Sequence, residues 1–421
     1  MNRAKIVAGI ELGSSKITTI IAQVTPDSAG VETSVNVVGA ASCESKGVKK
    51  GQIINIDEAV EATIESVEAA ERMAGYNLDN AFISLGGAHI HSQNSHGVVA
   101  VSDPNGEIIA EDISRVIDAA SAVSVPQSRE VVHVIPREYI VDGEGGVKDP
   151  IGMSGVRLEV DTHIVTASSA AMKNLRKAVK EVGIEVNEFI YSGLASAEAT
   201  LSRTEKELGC VLVDIGGGTT AIAVFIDGSL TYSSVIPIGA KNITNDLAIG
   251  LRVSLESAEK IKLIMSDRSK KARKEESDEI DVAELGITEL KKVSKKTLSE
   301  GIIKPRLNEI FTMTRLELEK EGFANRVPAG VIITGGGAET IGAQDAARRT
   351  MLLPTRIGKP GGVIGLVDEI LEPSYSTAIG LVLYGARYSQ DEPLTTFAKR
   401  IKLPGKELFG KLVKIVKDLL P

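Results

Sequence analysis

Two acidic residues end two copies of one local pattern, and chemistry would be built around them. The first copy runs Lys5-Ile6-Val7-Ala8-Gly9-Ile10-Glu11-Leu12-Gly13-Ser14-Ser15-Lys16-Ile17. The second runs Cys210-Val211-Leu212-Val213-Asp214-Ile215-Gly216-Gly217-Gly218-Thr219-Thr220-Ala221. In each, an apolar β-rich run reaches a carboxylate, glycine and small hydroxyl residues follow, and a second β-rich run begins. That reads as strand, tight turn, strand. Glycine permits positive φ and removes Cβ, so successive backbone N–H groups can point at one anion. The hydroxyls of Ser14, Ser15, Thr219 and Thr220 add donors, and Lys16 adds a charge. Glu11 and Asp214 are placed to hold a hydrated Mg²⁺, a hard cation that takes oxygen ligands. A third loop, Gly335-Gly336-Gly337-Ala338, follows the β-branched run Val331-Ile332-Ile333-Thr334. A glycine hairpin alone is as well explained without a ligand. Two homologous hairpins and a third loop point to two similar domains gripping the phosphates of one nucleotide, with the third loop behind the nucleoside. Neither G-x-G-x-x-G nor G-x-x-x-x-G-K-[ST] occurs at a strand-to-helix junction, so Rossmann and Walker sites fit poorly.

A chain of 421 residues with 43% hydrophobic and 25% charged residues is long enough for several domains of ordinary soluble composition. A formal net charge of -8 and 3% aromatics argue against nucleic acid as a partner, since phosphate neutralisation needs clustered Lys and Arg. Cys43 and Cys210 are the only cysteines, which suggests neither a disulfide framework nor a zinc site. The N-terminal apolar run is cut by Glu11 and belongs to a strand rather than a signal peptide.

In chain order, the first hairpin and a return strand near Thr33–Ala40 precede a helix capped by Asp57 and ending near Ala74. Ala81–Leu85 reads as a buried strand. A different texture follows, with a helix over Glu107–Val123, a strand over Val131–Val141 and a loop at Gly143–Pro150. It reads as a small inserted domain, and its histidines (His89, His91, His96, His133) as structural. Thr162–Ala167 reads as a buried strand of the first domain, followed by helices at Met172–Val182 and Leu194–Thr200. After the second hairpin, Glu256–Met265 is helical, with Glu259 and Lys262 one turn apart. They either touch a nucleoside or form an exposed ion pair. Lys270–Asp281 reads as a charged surface loop, Leu298–Lys320 as a long helix with Pro305 early, and Thr377–Tyr388 as a last helix.

Beyond Arg387 the pattern changes. Ser389–Gly405 is a linker. In Lys406–Leu420 the residues Leu408, Phe409, Leu412, Val413, Ile415, Val416, Leu419 and Leu420 fall within roughly 160° of a helical wheel. Lys406, Lys411, Lys414 and Lys417 take the other side. From Leu394 onward there are seven basic and two acidic residues, a local +5 that leaves the rest of the chain at -13. A basic amphipathic helix on a tether is the pattern of an interfacial anchor on an anionic membrane surface, against the alternative of a terminal helix docked on the body.

The hairpins, third loop and two-domain cleft resemble the superfamily of actin, sugar kinases and heat-shock chaperones. Within it, nearly the whole chain resembles the FtsA family, bacterial division proteins that tie the FtsZ ring to the membrane. The resemblance is carried by Gly9-Ile10-Glu11-Leu12-Gly13-Ser14-Ser15-Lys16, Lys49-Lys50-Gly51-Gln52-Ile53-Ile54-Asn55-Ile56 and Gly86-Gly87-Ala88-His89-Ile90. It continues in Gly152-Met153-Ser154-Gly155-Val156-Arg157-Leu158-Glu159, Thr244-Asn245-Asp246-Leu247-Ala248-Ile249-Gly250-Leu251-Arg252 and Ser374-Tyr375-Ser376-Thr377-Ala378-Ile379-Gly380. It implies an α/β actin-like two-domain ATPase fold with duplicated ribonuclease H-like cores. The first core would span 1–83, continued by 164–200 and 374–388. An α+β subdomain would be inserted at 84–163. The second core would span 201–373, with an upper part at about 240–310. A linker at 389–405 would lead to a membrane-targeting helix at 406–421.

The resemblance also implies ATP and Mg as cofactors, and self-association into filaments. It implies contacts of later division proteins with the inserted subdomain, and a place on the cytoplasmic face of the membrane at the septum. The FtsZ C-terminal peptide would bind at Lys304, Arg306 and Glu309, against the plainer reading of a solvated helix face. Two departures stand out. The family usually carries Asp after Gly-Gly-Gly-Thr-Thr, where this chain has Ala221, which implies at most weak hydrolysis. Ser192-Gly193 stands where many relatives have Glu-Pro. The alternative function is an actin-fold enzyme such as a sugar kinase or phosphatase, but no Asp with the signature of a catalytic base lies between the two halves.

Overall fold

A computed structural model describes residues 5–26, 33–103, 105–266, 278–283, 286–287, 292–366 and 370–388. The membrane-helix residues Leu408, Phe409, Lys411, Leu412, Val413, Lys414, Val416, Lys417, Leu419 and Leu420 lie outside them, as does most of the charged loop expected at 270–281.

Strands β1 (Lys5–Leu12) and β2 (Lys16–Pro26) form the first hairpin, and β3 (Thr33–Glu44) returns antiparallel beside β2. The short pair β4 (Val48–Lys49) and β5 (Gln52–Ile53) turns through Lys50 and Gly51, both at positive φ, as a two-residue hairpin loop requires. Helix α1 (Ile56–Ala74) is capped by Asn55 rather than the expected Asp57; Asn55 Oδ1 accepts the Glu58 N–H. Strand β6 (Asn80–Leu85) then pairs parallel to β1.

The insert comprises β7 (His91–Ala100), α2 (Ala110–Ser121), β8 (Arg129–Val141), β9 (Glu144–Val147) and β10 (Arg157–Ser168). Its four strands form one sheet in the order β7-β10-β8-β9. Three expectations are corrected here. The helix is shorter than 107–123, because Glu107 pairs with Ser154. The loop at 143–150 contains β9. The strand at 162–167 is the second half of β10, which pairs with β7 and β8 along nearly its whole length.

Helix α3 (Ser169–Glu181), strand β11 (Glu185–Tyr191) and helix α4 (Ser192–Thr200) complete the chain's first pass through the first core. Helix α5 (Arg203–Leu208) leads to β12 (Cys210–Ile215), β13 (Thr220–Ile226), β14 (Ser229–Ile236), α6 (Ala240–Leu251) and α7 (Leu255–Ser266). Strands β15 (Glu279–Asp281) and β16 (Lys292–Ser294) pair with each other, so residues 279–281 are strand rather than loop. The long helix opens as a π-helical stretch, Thr297–Ile303, and becomes α8 (Lys304–Lys320) at Pro305. Strand β17 (Val331–Thr334), helix α9 (Ala343–Met351), strands β18 (Thr355–Ile357) and β19 (Ile364–Gly365) and helix α10 (Ser376–Tyr388) follow.

The duplication is explicit in the sheets. One runs β19-β3-β2-β1-β6-β11 and the other β14-β13-β12-β17-β18. In both, three antiparallel strands are followed by two parallel ones. The second sheet is buried on both faces, as its period-two packing records. Cys210, Leu212, Ala221, Ala223 and Phe225 join the first core's apolar cluster. Val211, Val213, Ile222 and Val224 join the second's. Helices α4 and α10 cross between the sheets. A Cβ at Gly380 would lie 1.7 Å from the Ala195 carbonyl oxygen, so only glycine allows the crossing.

Candidate functional site

The two hairpin turns meet at one cleft of about 330 Å³. In the first turn the Gly13 N–H donates to Lys16 O at 3.1 Å, and Ser14 Oγ accepts the Gly51 N–H at 3.0 Å. In the second, the Gly216 N–H donates to Thr219 O at 2.9 Å. The N-terminus of α6 docks on that turn, with Ala240 N–H on Gly216 O and Lys241 N–H on Gly217 O. The turns approach so closely that a Cβ at Gly217 would lie 2.7 Å from Ser15 Cβ, and one at Gly218 2.9 Å from Ser14 Oγ. Glycine is therefore required at both for steric reasons.

Glu11 and Asp214 both line the cleft. Burial, and then the charge of Asp214, raise the Glu11 pKa to about 7, while Lys16 acts in the opposite direction. Its Oε2 is buried without a hydrogen-bond partner. The Asp214 pKa is raised by burial, against hydroxyl donation from Ser196 at 2.5 Å and Thr377 at 3.0 Å. Lys16 stands 3.2 Å over the Tyr375 ring and donates to Ser374 Oγ at 3.5 Å; burial lowers its pKa. Two buried carboxylates and an orphaned oxygen in a glycine cradle fit a divalent cation carried by an anionic ligand. Among the described residues, no cluster of three or more His, Cys, Asp or Glu side chains forms an all-protein metal site.

Gly13, Ser14, Ser15, Lys16, Gly216, Gly217, Gly218, Thr219, Glu259, Lys262, Gly335, Gly336 and Gly337 all line this cleft. Two expected residues do not. Thr220 faces away, its hydroxyl donating to Ile238 O at 2.8 Å, and Ala338 packs into the second core. Glu259 and Lys262 form an ion pair at 2.7 Å. It is not the exposed pair weighed from spacing, because Lys262 is buried and also donates to Thr244 Oγ1 at 2.9 Å. Sequence reasoning gave no role to Ser84, Ser192, Ser196, Glu339, Ser374 and Thr377, which also line the cleft or touch Asp214. Ser196 and Thr377 lie within stretches already singled out, but nothing in their spacing ties them to Asp214. Ala221 also lines the cleft and pairs with Asp214 across the hairpin, presenting a methyl beside the carboxylate.

Lys304, Arg306 and Glu309 sit elsewhere, at the start of α8. Arg306 holds Asp246 of α6 through two bonds, at 2.6 and 2.9 Å, and also pairs with Glu309. Lys304 pairs with Glu300. Arg306 and Glu309 line a shallow groove with Asp246, Ile249, Ile302 and Pro305.

Residues 87–166 match the family described as the SHS2 domain inserted in FtsA, and residues 211–380 match the cell division protein FtsA family. The chain is 38% identical over 412 residues to the cell division protein FtsA of Pseudomonas aeruginosa, covering 94% of this chain and 97% of that one. It is 38% identical over 389 residues to the FtsA of Bacillus subtilis (92% and 85% covered) and 35% identical over 389 residues to that of Escherichia coli (90% of each). Among solved structures it resembles the PilM-PilN type IV pilus biogenesis complex, with TM-score 0.62 at 16% identity, covering 90% of this chain and 98% of that one. It also resembles Spiroplasma citri MreB5 bound to AMPPNP, with TM-score 0.53 at 14% identity (92% and 98% covered).

Proposed function

The chain belongs to the FtsA family of cell division proteins, and from that premise we propose that it binds ATP, polymerises at the cytoplasmic membrane and tethers FtsZ there. The nucleotide half rests on one observation: two buried carboxylates, one from each core, face a glycine-lined cleft, and the Glu11 oxygen has no partner within it. Mg-ATP, when bound, supplies a cation that offsets both carboxylates and a ligand that bridges both cores. Glu11 and Asp214 would hold that cation. Backbone N–H groups of the two turns, with Ser14, Ser15, Thr219 and Lys16, face the phosphates. Glu259 and Lys262 with Gly335, Gly336 and Gly337 flank the nucleoside. The methyl of Ala221 puts no carboxylate beside Asp214, and supports binding with at most slow turnover.

The membrane half rests on the sequence of the tail, whose apolar sector and lysines suit an anionic lipid surface. Recruitment is assigned to the α6–α8 groove, where an acidic FtsZ C-terminal peptide would draw Arg306 from Glu309 and meet Lys304. Contacts with later division proteins are assigned to the insert. These assignments place the chain on the cytoplasmic face of the membrane at the septum.

Co-sedimentation with anionic vesicles tests the membrane half. The full chain should pellet with the vesicles and a chain truncated after Pro404 should stay in solution; both staying in solution would sink the tether. Fluorescence anisotropy with an FtsZ tail peptide tests recruitment, and Arg306→Ala should weaken binding.

A further inference from the structure

We propose that Ser196 and Thr377 are positioning residues for Asp214, and that they make cation affinity in the cleft depend on the two cores being docked. The inference rests on the nucleotide reading above. Asp214 belongs to β12 of the second core, yet both donors to its Oδ2 come from the first core. Ser196 on α4 donates at 2.5 Å and Thr377 on α10 at 3.0 Å. The two hydroxyl oxygens are 2.9 Å apart, and all three side chains are buried. Each hydroxyl carries one proton. With Ser196 committed to Asp214, the Thr377 proton is shared between the carboxylate and Ser196.

Both bonds fall on one carboxylate oxygen, which fixes the other. Among the described residues no hydrogen bond reaches Oδ1, which lies against Gly335, where a Cβ would come within 2.2 Å of it. Oδ1 is thus the oxygen left for a cation. Charge-assisted bonds to Oδ2 are strong and directional, so losing them frees the carboxylate to rotate. Separation of the two cores parts both donors from the acceptor and has the same effect. Tyr191, at the end of β11, provides the contrast. Its hydroxyl reaches Ile222 O at 2.8 Å and Ser234 O at 2.9 Å, joining the same two cores without touching Asp214.

The test is calorimetric titration of the full chain with ATP, in Mg²⁺ and in EDTA, for wild type, Ser196→Ala, Thr377→Val, Thr377→Ser and Tyr191→Phe. Ser196→Ala should weaken binding about tenfold in Mg²⁺ and leave the EDTA affinity unchanged, matching the loss of a hydrogen bond to a charged group. Thr377→Val should act in the same direction with a smaller loss, and Thr377→Ser, which keeps the hydroxyl, should restore wild-type binding. Tyr191→Phe should lower the melting temperature yet keep the Mg²⁺-to-EDTA ratio. Equal losses in both buffers, no loss, or failure of Thr377→Ser to restore binding would overturn the proposal. Should Ser196→Ala fail to fold, the Thr377 pair decides alone. A wild-type chain with no Mg²⁺-enhanced ATP affinity overturns the nucleotide reading itself, an outcome seen before any variant is compared.

Discussion

Glu11 concentrates the electrostatic cost of the cleft in one side chain. Its folded pKa of about 7 lies above the ordinary 4.5, because burial and the neighbouring Asp214 charge both disfavour ionisation. The folded chain therefore holds a proton that the unfolded chain releases, and stability is lost as pH rises from about 4.5 through about 7. Ionised Glu11 costs on the order of 3 kcal/mol once the pH passes the folded value. In EDTA, Glu11→Gln should raise the melting temperature at pH 8 and leave it nearly unchanged at pH 4.5, as differential scanning fluorimetry would record. An equal change at both pH values would mean the cost is steric. Glu11 and Asp214 were legible in sequence because each ends an apolar run ahead of a glycine turn. Ser196 and Thr377 were not, since they lie 18 and 163 residues from Asp214 and only the fold brings them to it. The departure at Gly193 has a similar origin: a Cβ there would lie 2.7 Å from both Cζ and the hydroxyl oxygen of Tyr191. With Tyr191 reaching into the second core, a proline at 193 does not fit.

The elements that position the site depend on close approaches and buried polar contacts. At the α4–α10 crossing, Gly380→Ala should part the helices and cost about 1–3 kcal/mol or more, as overpacking does. A drop of several degrees in melting temperature is the expected readout. The insert docks on β14 through polar contacts centred on the buried side chains of His163 and Ser233. His163 bonds Asn94 at 2.8 Å and Ser233 Oγ at 3.0 Å, and Ser92 Oγ donates to Ser233 O at 2.8 Å. Burial pushes the His163 pKa down to about 3 and that of His133 to about 4. Their contribution is present above the ordinary pKa of 6.5 and is lost as pH falls towards the folded values. The protection factors of amides in Ser229–Ile236, measured against the intrinsic exchange rate at each pH, should therefore fall between pH 7 and pH 5, and His163→Gln should flatten that dependence. The hairpins and amphipathic helices were legible from period and punctuation. The limit of the insert was not, because β10 passes Asp161 and Thr162 with only a register shift and no turn residue to mark it. Asn55 displaced Asp57 as the helix cap for a related reason: both are good caps two residues apart, and only backbone geometry chooses between them.

At the scale of the whole molecule, charge is divided unevenly along the chain. Residues from Leu394 onward carry +5 and the remainder -13, so an anionic surface attracts the tail and repels the body. Among the described residues no helix is long and apolar enough to cross a membrane. On the attachment proposed above, two terms would hold the tail: burial of the Leu408, Phe409, Leu412 and Val416 sector, and headgroup attraction to Lys411, Lys414 and Lys417. Each lysine near such a surface is worth about 1 kcal/mol. Neutralising the three to Gln should weaken binding to anionic vesicles by about two orders of magnitude. Replacing them with Glu should abolish it, because tail and body would then be repelled together. Raising the salt should weaken the wild type towards the Gln variant, since screening acts on the lysines and not on the apolar sector. Binding that survives the Glu variant would assign attachment to the apolar sector alone. Binding of the wild type that ignores salt would remove the lysines from the account, and the charge division along the chain would then have no part in membrane attachment.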